Sequence, residues 1–329
     1  MKILVRLPNW LGDVVMSTGF IRALKTKYPS SEIDVIIKKG LDPIIDFIPE
    51  IKRRYIFSKE EWKGLPGAYR FGRKIKQEIT YDLFFCLPDS FSSAFMAWAT
   101  GARQRIGFRK ELRSIFLTKP FRKLSSLHRG DEYISLLEQL TNERIILRSV
   151  FLKNNYTSIP HRIIINFNSE AESRRMPVEK AASILNTLIN EIPNAEFVSV
   201  GSIKEKEHVD AILKLVTDTA RVNNKAGQTT SLSDLVKLIG SASAMLSTDS
   251  GPAHIANALG VPTVVTFGAG NENNTAPYNK KCLTVLRLGQ LPCEPCVKNF
   301  CKFGSPKCLE LLEENRIVDA IKNLLTLND

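Results

Sequence analysis

The chain has 329 residues, 43% of them hydrophobic, and 46 Lys and Arg against 34 Asp and Glu give it a net charge of +12. That is enough apolar residue for two domains with their own cores, and no internal repeat or low-complexity tract interrupts it. The first residues lack the unbroken apolar core of a signal peptide, and the longest weakly charged stretch, 83–102, carries Pro88, Asp89 and several serines, so a soluble cytoplasmic protein is expected.

In chain order, residues 2–7 read as an apolar strand, followed by Pro8-Asn9-Trp10-Leu11-Gly12-Asp13 and a helical pattern to residue 28. Residues 33–37 form a second strand and 68–79 a helix. A strand at 81–87 is followed by a helix at 90–100, a short strand at 104–107 and a helix at 129–140. A polar, proline-ended linker spans 153–160. The alternation then restarts, with strands at 162–166, 196–200, 244–247 and 262–267 and helices at 177–191, 204–216 and 231–241. Strands alternating with helices indicate α/β domains with parallel sheets and crossover helices. Two doubly wound domains facing across a cleft are expected, 1–155 and 156–329, with the C-terminal helix a candidate to pack back on the first. In such sheets ligands bind beyond the strand carboxyl ends, where Asp13 and Asp249 both fall.

The charge is unevenly spread. Residues 1–150 hold 27 Lys and Arg against 16 Asp and Glu, whereas 151–329 hold 19 against 18. The first half therefore suits an anionic partner: nucleic acid, an anionic membrane surface, or a phosphorylated or carboxylated acceptor. Arg103, Arg105, Arg109, Lys110 and Arg113 crowd one short segment with only Glu111 among them. A plain solvated basic face is the alternative.

Residues 246–263, LSTDSGPAHIANALGVPT, are the most informative stretch. A buried strand breaks at Thr248-Asp249-Ser250-Gly251 and resumes as a helix through His254, which Gly260 ends. A strand–turn–helix of this kind presents unpaired N–H groups and the positive helix end to a phosphate. Asp249 suits a ribose hydroxyl or a positively polarised group instead, so a nucleotide diphosphate fits both halves. Asp and Ser before a helix are also ordinary N-caps, and the same holds for Asp13.

Taken together, Leu11-Gly12-Asp13, YDLFFCLPDSFSSAF at 81–95, Arg105-Ile106-Gly107-Phe108 and Thr248-Asp249-Ser250-Gly251 with His254 resemble the lipopolysaccharide heptosyltransferases of glycosyltransferase family 9. The segment at 81–95 is more similar to the heptosyltransferase II branch than to the branch that adds the first heptose. The resemblance implies two Rossmann-like domains of the GT-B type, an ADP-heptose donor, inversion at the anomeric carbon and no catalytic metal. It implies an acceptor of lipid A–Kdo–heptose type on the N-terminal domain and the donor on the C-terminal one. It also implies a place at the cytoplasmic face of the inner membrane, held peripherally to its anionic surface, and no nucleic-acid partner.

Carried over by residue, Asp13 falls on the catalytic base, and an inverting transfer does need a carboxylate to take the acceptor's hydroxyl proton. For the acceptor the candidates are Asn9, Trp10 and Gly12 beside Asp13 and, from the crowding of basic residues, Arg103, Arg105, Arg109 and Arg113. Asp249, Ser250, Gly251 and His254 fall on donor contacts, as do Ser169 and Arg174. Arg174 stands where the family often has lysine, and can neutralise a leaving diphosphate as a planar fork. Glu205 and Glu207 are alternatives for the ribose, and Thr230-Ser231 match the segment lining the adenine while also making good N-caps.

Cys293, Cys296, Cys301 and Cys308 are densely spaced. Four thiolates at such spacing suit a structural zinc, with free or oxidisable thiols the alternative. Other readings carried by the same residues are a family 9 transferase with another donor sugar, heptosyltransferase I activity, a sugar-nucleotide epimerase, and a non-catalytic nucleotide binder.

Overall fold

The computed structural model describes residues 1–124 and 126–326, and its chain divides into two compact units, Met1–Lys153 and Asn154–Asp329. The first unit is built on β1 (Lys2–Arg6), β2 (Glu32–Lys38), β3 (Ile51–Phe57), β4 (Leu83–Cys86), β5 (Gln104–Phe108) and β6 (Lys119–Phe121). All pairs are parallel, in the order β3-β2-β1-β4-β5-β6. Its helices are α1 (Leu11–Met16), α2 (Thr18–Lys27), α3 (Gly64–Glu78), α4 (Phe91–Ala99) and α5 (Arg129–Thr141). The second unit carries β7 (Arg162–Asn166), β8 (Glu196–Ser199), β9 (Val222–Asn224), β10 (Ala244–Thr248), β11 (Thr263–Phe267) and β12 (Leu283–Arg287). Their order is β12-β11-β10-β7-β8-β9, again all parallel. Its helices are α6 (Val178–Glu191), α7 (Lys206–Leu213), α8 (Leu232–Gly240), α9 (Gly251–Ala258), α10 (Glu272–Thr275), α11 (Lys307–Glu310) and α12 (Glu314–Thr326).

Each sheet starts in its middle, winds outward, then returns to add its fourth strand on the other side of the first. The order therefore reverses between β1 and β4 and again between β7 and β10, leaving a crevice at the carboxyl ends of those strands. The central strands are largely apolar because helices cover both faces: in β10 and β11 every residue is buried.

One local expectation changes. The first helix is broken at Ser17, whose hydroxyl bonds to the Val14 carbonyl, so α1 is a short turn set apart from α2. The C-terminal helix spends its apolar face, Ile317, Val318 and Ile321, in the second unit's own core beside Leu185, Leu246 and Val264. No helix among the described residues is long and apolar enough to cross a membrane.

Candidate active site

At the β1–β4 switch point the buried Arg6 organises the loop that follows β1. Its guanidinium donates to the carbonyls of Leu7 (2.9 Å) and Ile36 (3.2 Å) and to Asn9 Oδ1 (2.6 Å). Trp10 takes the N-cap position of α1 without a side-chain cap bond and is 59% exposed, with Lys38 Nζ 6.0 Å from its ring centroid. Asp13 is thus the third residue of α1, after Gly12, and is not the cap that its place in the sequence allowed. Its Oδ1 accepts from the Tyr133 hydroxyl at 3.3 Å and lies 3.5 Å from Arg129 Nε. Arg129, Glu132 and Tyr133 come from one face of α5, at i, i+3 and i+4. Glu132 holds Arg129 at 3.1 Å and Lys123 at 2.9 Å, and Lys123 reaches Asp89 at 2.9 Å. Burial pushes the Asp13 carboxyl above its ordinary value, with Arg129 and the Tyr133 hydrogen bond opposing that shift.

At the β7–β10 switch point the second unit builds a denser polar network. Asn166 Nδ2 donates to Ser247 Oγ (3.1 Å) and Ser250 Oγ (2.8 Å), and Thr248 Oγ1 donates to the Asn168 carbonyl at 2.6 Å. Ser169 Oγ donates to the Asp249 carbonyl at 3.4 Å. These bonds fix two loops against each other, those after β7 and β10. Asp249 is 4% exposed and pairs with Arg174 at 3.3 Å. Burial raises its carboxyl to about 6, against the pull of Arg174 and Arg287. Gly270 closes over it: a Cβ there would come within 2.0 Å of Asp249 Oδ2, so only glycine fits. Ser250 makes no side-chain cap to α9, so the helix start that begins with Gly251 is left without one, and His254 is buried one turn along.

The sequence left Glu205 and Glu207 undivided. Glu205 sits at the N-cap of α7 and accepts from Ser202 N at 2.8 Å, beside Gly201 at the end of β8, whereas Glu207 is exposed on the first turn. Ser231 forms a full capping box with Asp234, which also accepts from Thr230 Oγ1 at 2.6 Å, so both hydroxyls are engaged in starting α8.

The arginine cluster divides as well. Arg103 is exposed and pairs with Asp82 at 3.3 Å, and Arg109 is exposed. Arg105 donates to the carbonyls of Phe116 and Ala102, each at 2.8 Å. Arg113 is 2% exposed and bonds to the carbonyls of Phe108 and Pro88 and to Cys86 Sγ, which takes it out of the surface cluster. Arginine near arginine in sequence says nothing about which guanidinium is needed to satisfy buried carbonyls.

Cys293, Cys296, Cys301 and Cys308 converge on one apolar cavity of about 20 Å3. Among the described residues no three His, Cys, Asp or Glu are arranged to hold a metal ion. The segment carrying them braces the second site. Ser173, next to Arg174, bonds to the carbonyls of Lys298 and Asn299, and Val297 N donates to Ala269 O at 2.8 Å beside Gly270. Arg287 adds ion pairs to Glu272 (2.6 Å) and Glu294 (3.7 Å). Sequence reasoning missed Arg287, Gly270, Asn166, Arg129, Glu132 and Tyr133. Only the spacing on α5 gave a signal, because the other contacts join distant loops.

The family model for glycosyltransferase family 9 (heptosyltransferase) matches residues 68–306. The chain belongs to glycosyltransferase family 9. It is 29% identical over 320 residues to lipopolysaccharide heptosyltransferase 2 of Escherichia coli strain K12, with 88% of each chain covered. It is 28% identical over 352 residues to lipooligosaccharide heptosyltransferase 2 of Haemophilus ducreyi, with 99% of each covered. The solved structure of E. coli ADP-heptose lps heptosyltransferase II superposes with a TM-score of 0.84 at 26% identity, over 100% of this chain and 99% of that one. The glycosyl transferase family 9 structure from Veillonella parvula gives 0.86 at 22% identity, over 99% and 97%. This family 9 glycosyltransferase is accordingly built as two Rossmann-like α/β domains of the GT-B class.

Proposed function

We propose that this family 9 transferase moves heptose from ADP-heptose to the first heptose of the lipopolysaccharide inner core, with inversion. The observation that carries the reading is the second unit's switch point. There a buried carboxylate holds Arg174 beside an uncapped helix start, an arrangement suited to a nucleotide diphosphate. Similarity along the whole chain to heptosyltransferase 2 proteins supports the sugar and the acceptor.

In the reaction, Asp13 takes the acceptor hydroxyl's proton as that oxygen bonds to the anomeric carbon. The bond from that carbon to the diphosphate oxygen breaks and ADP leaves with the electron pair. A carboxyl pushed upward by burial is a better proton acceptor than a free one, and Arg129 opposes that shift in favour of the carboxylate. Arg174 and the N–H groups that start α9 offset the charge developing on the diphosphate. Glu205 is the residue for the ribose, and Ser169, Ser250, Gly251 and His254 shape the donor loop. The first domain, with Asn9, Trp10 and Arg109 exposed or half-exposed around Asp13's loop and on β5's end, takes the anionic acceptor at the cytoplasmic face of the inner membrane. No step uses a metal, and the four cysteines act as a brace on the donor loops.

The test is incubation with ADP-heptose and heptose-deficient lipopolysaccharide, with mass analysis of the product. One added heptose on acceptor already carrying the first heptose is expected. Transfer only to acceptor lacking any heptose assigns the first-heptose step instead, and ADP-heptose turned over without acceptor modification sinks the transferase reading.

A further inference from the structure

An apolar face of the first unit has no part in the reaction above. Along α4, Phe91, Phe95 and Trp98 fall at i, i+4 and i+7, a single stripe. On α3, Leu65, Tyr69 and Arg73 make a second stripe at i, i+4 and i+8. The 3-10 turn Glu111–Phe116 adds Leu112 and Ile115, three residues apart and therefore on one side of it. The rings are continuous: the Phe95 centroid lies 5.8 Å from Tyr69, 5.6 Å from Trp98 and 5.1 Å from Phe116, and Phe91 lies 5.3 Å from Phe116. The face is open. Leu112 and Ile115 are each 72% exposed, Trp98 45%, Leu65 43% and Phe91 37%. Its rim is basic, with Arg70, Arg73 and Lys110 all exposed and Glu111 the acid of the turn.

We propose that this face docks the protein on an anionic lipid bilayer. Leu112, Ile115 and Trp98 enter the headgroup boundary, and the surrounding Lys and Arg pair with lipid phosphates. Aliphatic side chains at the tip of a turn, an aromatic shelf behind them and a cationic rim are the three components of interfacial binding. Charge complementarity selects this occupant. A second copy seated face to face would set the same cations against each other, whereas an anionic bilayer neutralises them. The proposal draws on the lipid-linked acceptor only for its purpose, since the face itself is independent of the transfer chemistry.

Flotation with vesicles of phosphatidylcholine alone, and of phosphatidylcholine mixed with phosphatidylglycerol, tests it. The parent protein should partition to the mixed vesicles about tenfold or more better than to the neutral ones, and added salt should weaken that binding. Leu112→Ser combined with Ile115→Ser should lower partitioning to the mixed vesicles about tenfold, because both side chains are removed from the lipid. The same variant should keep its ADP affinity and its transfer rate to a delipidated, water-soluble core oligosaccharide, which verifies its fold. A variant that floats like the parent, or a parent indifferent to the anionic lipid, overturns the proposal. So does a concentration-dependent dimer that the double substitution abolishes, which assigns the face to a second copy. Intact vesicle binding with no transfer to any acceptor sinks the proposed reaction and leaves the docking face standing.

Discussion

The two units share one strand order and differ in what they do with it. Each places an aspartate after a central strand at its switch point, yet Asp13 keeps 23% of its side chain exposed while Asp249 keeps 4%. Asp13 stands on a short helix, with Tyr133 and Arg129 on one side of it. Asp249 is enclosed by Arg174, the wall of Gly270 and the field of Arg287. The charge differs in parallel: unit one holds 28 Lys and Arg against 16 Asp and Glu, and unit two 18 against 18. In the proposed reaction, the group that receives a proton from a bulky acceptor needs access, and the group that orients an arginine for a phosphate needs rigidity. The topology supplies the crevice, and the loops decide which kind of carboxylate it receives.

The sharpest break of this comparison is at Asp13. Asp13→Asn should lower turnover by about two to four decades and leave ADP-heptose affinity nearly unchanged, measured by steady-state kinetics and calorimetry. Full turnover in a folded variant would reduce Asp13 to a helix residue. At the other carboxylate, Arg174→Ala should weaken ADP by about tenfold or more and adenosine hardly at all, because charge-assisted bonds to the diphosphate are lost. Equal losses for both ligands would place Arg174 in packing alone.

A smaller effect sharpens the contrast in how the carboxylates are tuned. Arg129 opposes the burial that raises Asp13, so Arg129→Met should raise that carboxyl further. The base form is lost as pH falls through the folded value, so the acid limb of kcat/KM should move to higher pH. An unmoved limb would assign the limb to another group. The smallest expected effect concerns stability. Asp249 titrates at about 6 in the folded protein, above an ordinary unfolded carboxyl, so folding stability declines as pH rises between the unfolded and folded values. Asp249→Asn removes that titration. Its stability relative to the parent should therefore improve between pH 4 and pH 7 by roughly 1 to 3 kcal/mol, read from denaturant melts. A difference that stays constant with pH would mean that Asp249 is not raised.

What the sequence determined by itself was the buried part of each sheet and the two loops at its switch point. The strands expected from the sequence are β1, β2, β4, β5, β7, β8, β10 and β11, the inner strands of both sheets. The four that it passed over, β3, β6, β9 and β12, are the four edges. An inner strand is covered on both faces and is apolar over most of its length. An edge strand needs no such run, and β3, IKRRYIF, even carries three consecutive cations, which suits a strand whose outer side must not pair with another chain. The loops Leu11-Gly12-Asp13 and Thr248-Asp249-Ser250-Gly251 were legible because a strand, a turn and a helix start lie within a few adjacent residues. Only the tertiary structure decided who meets them. Arg129 and Tyr133 reach Asp13 across more than a hundred residues, and Arg174, Gly270 and Arg287 act on Asp249 from three separate segments of the chain. It also decided that Arg113, one of five neighbouring cations in the sequence, turns inward to buried carbonyls while Arg109 faces out. Local sequence sets backbone preference and burial period, whereas the partner of a charged side chain is chosen by which distant loop packing brings within about 4 Å.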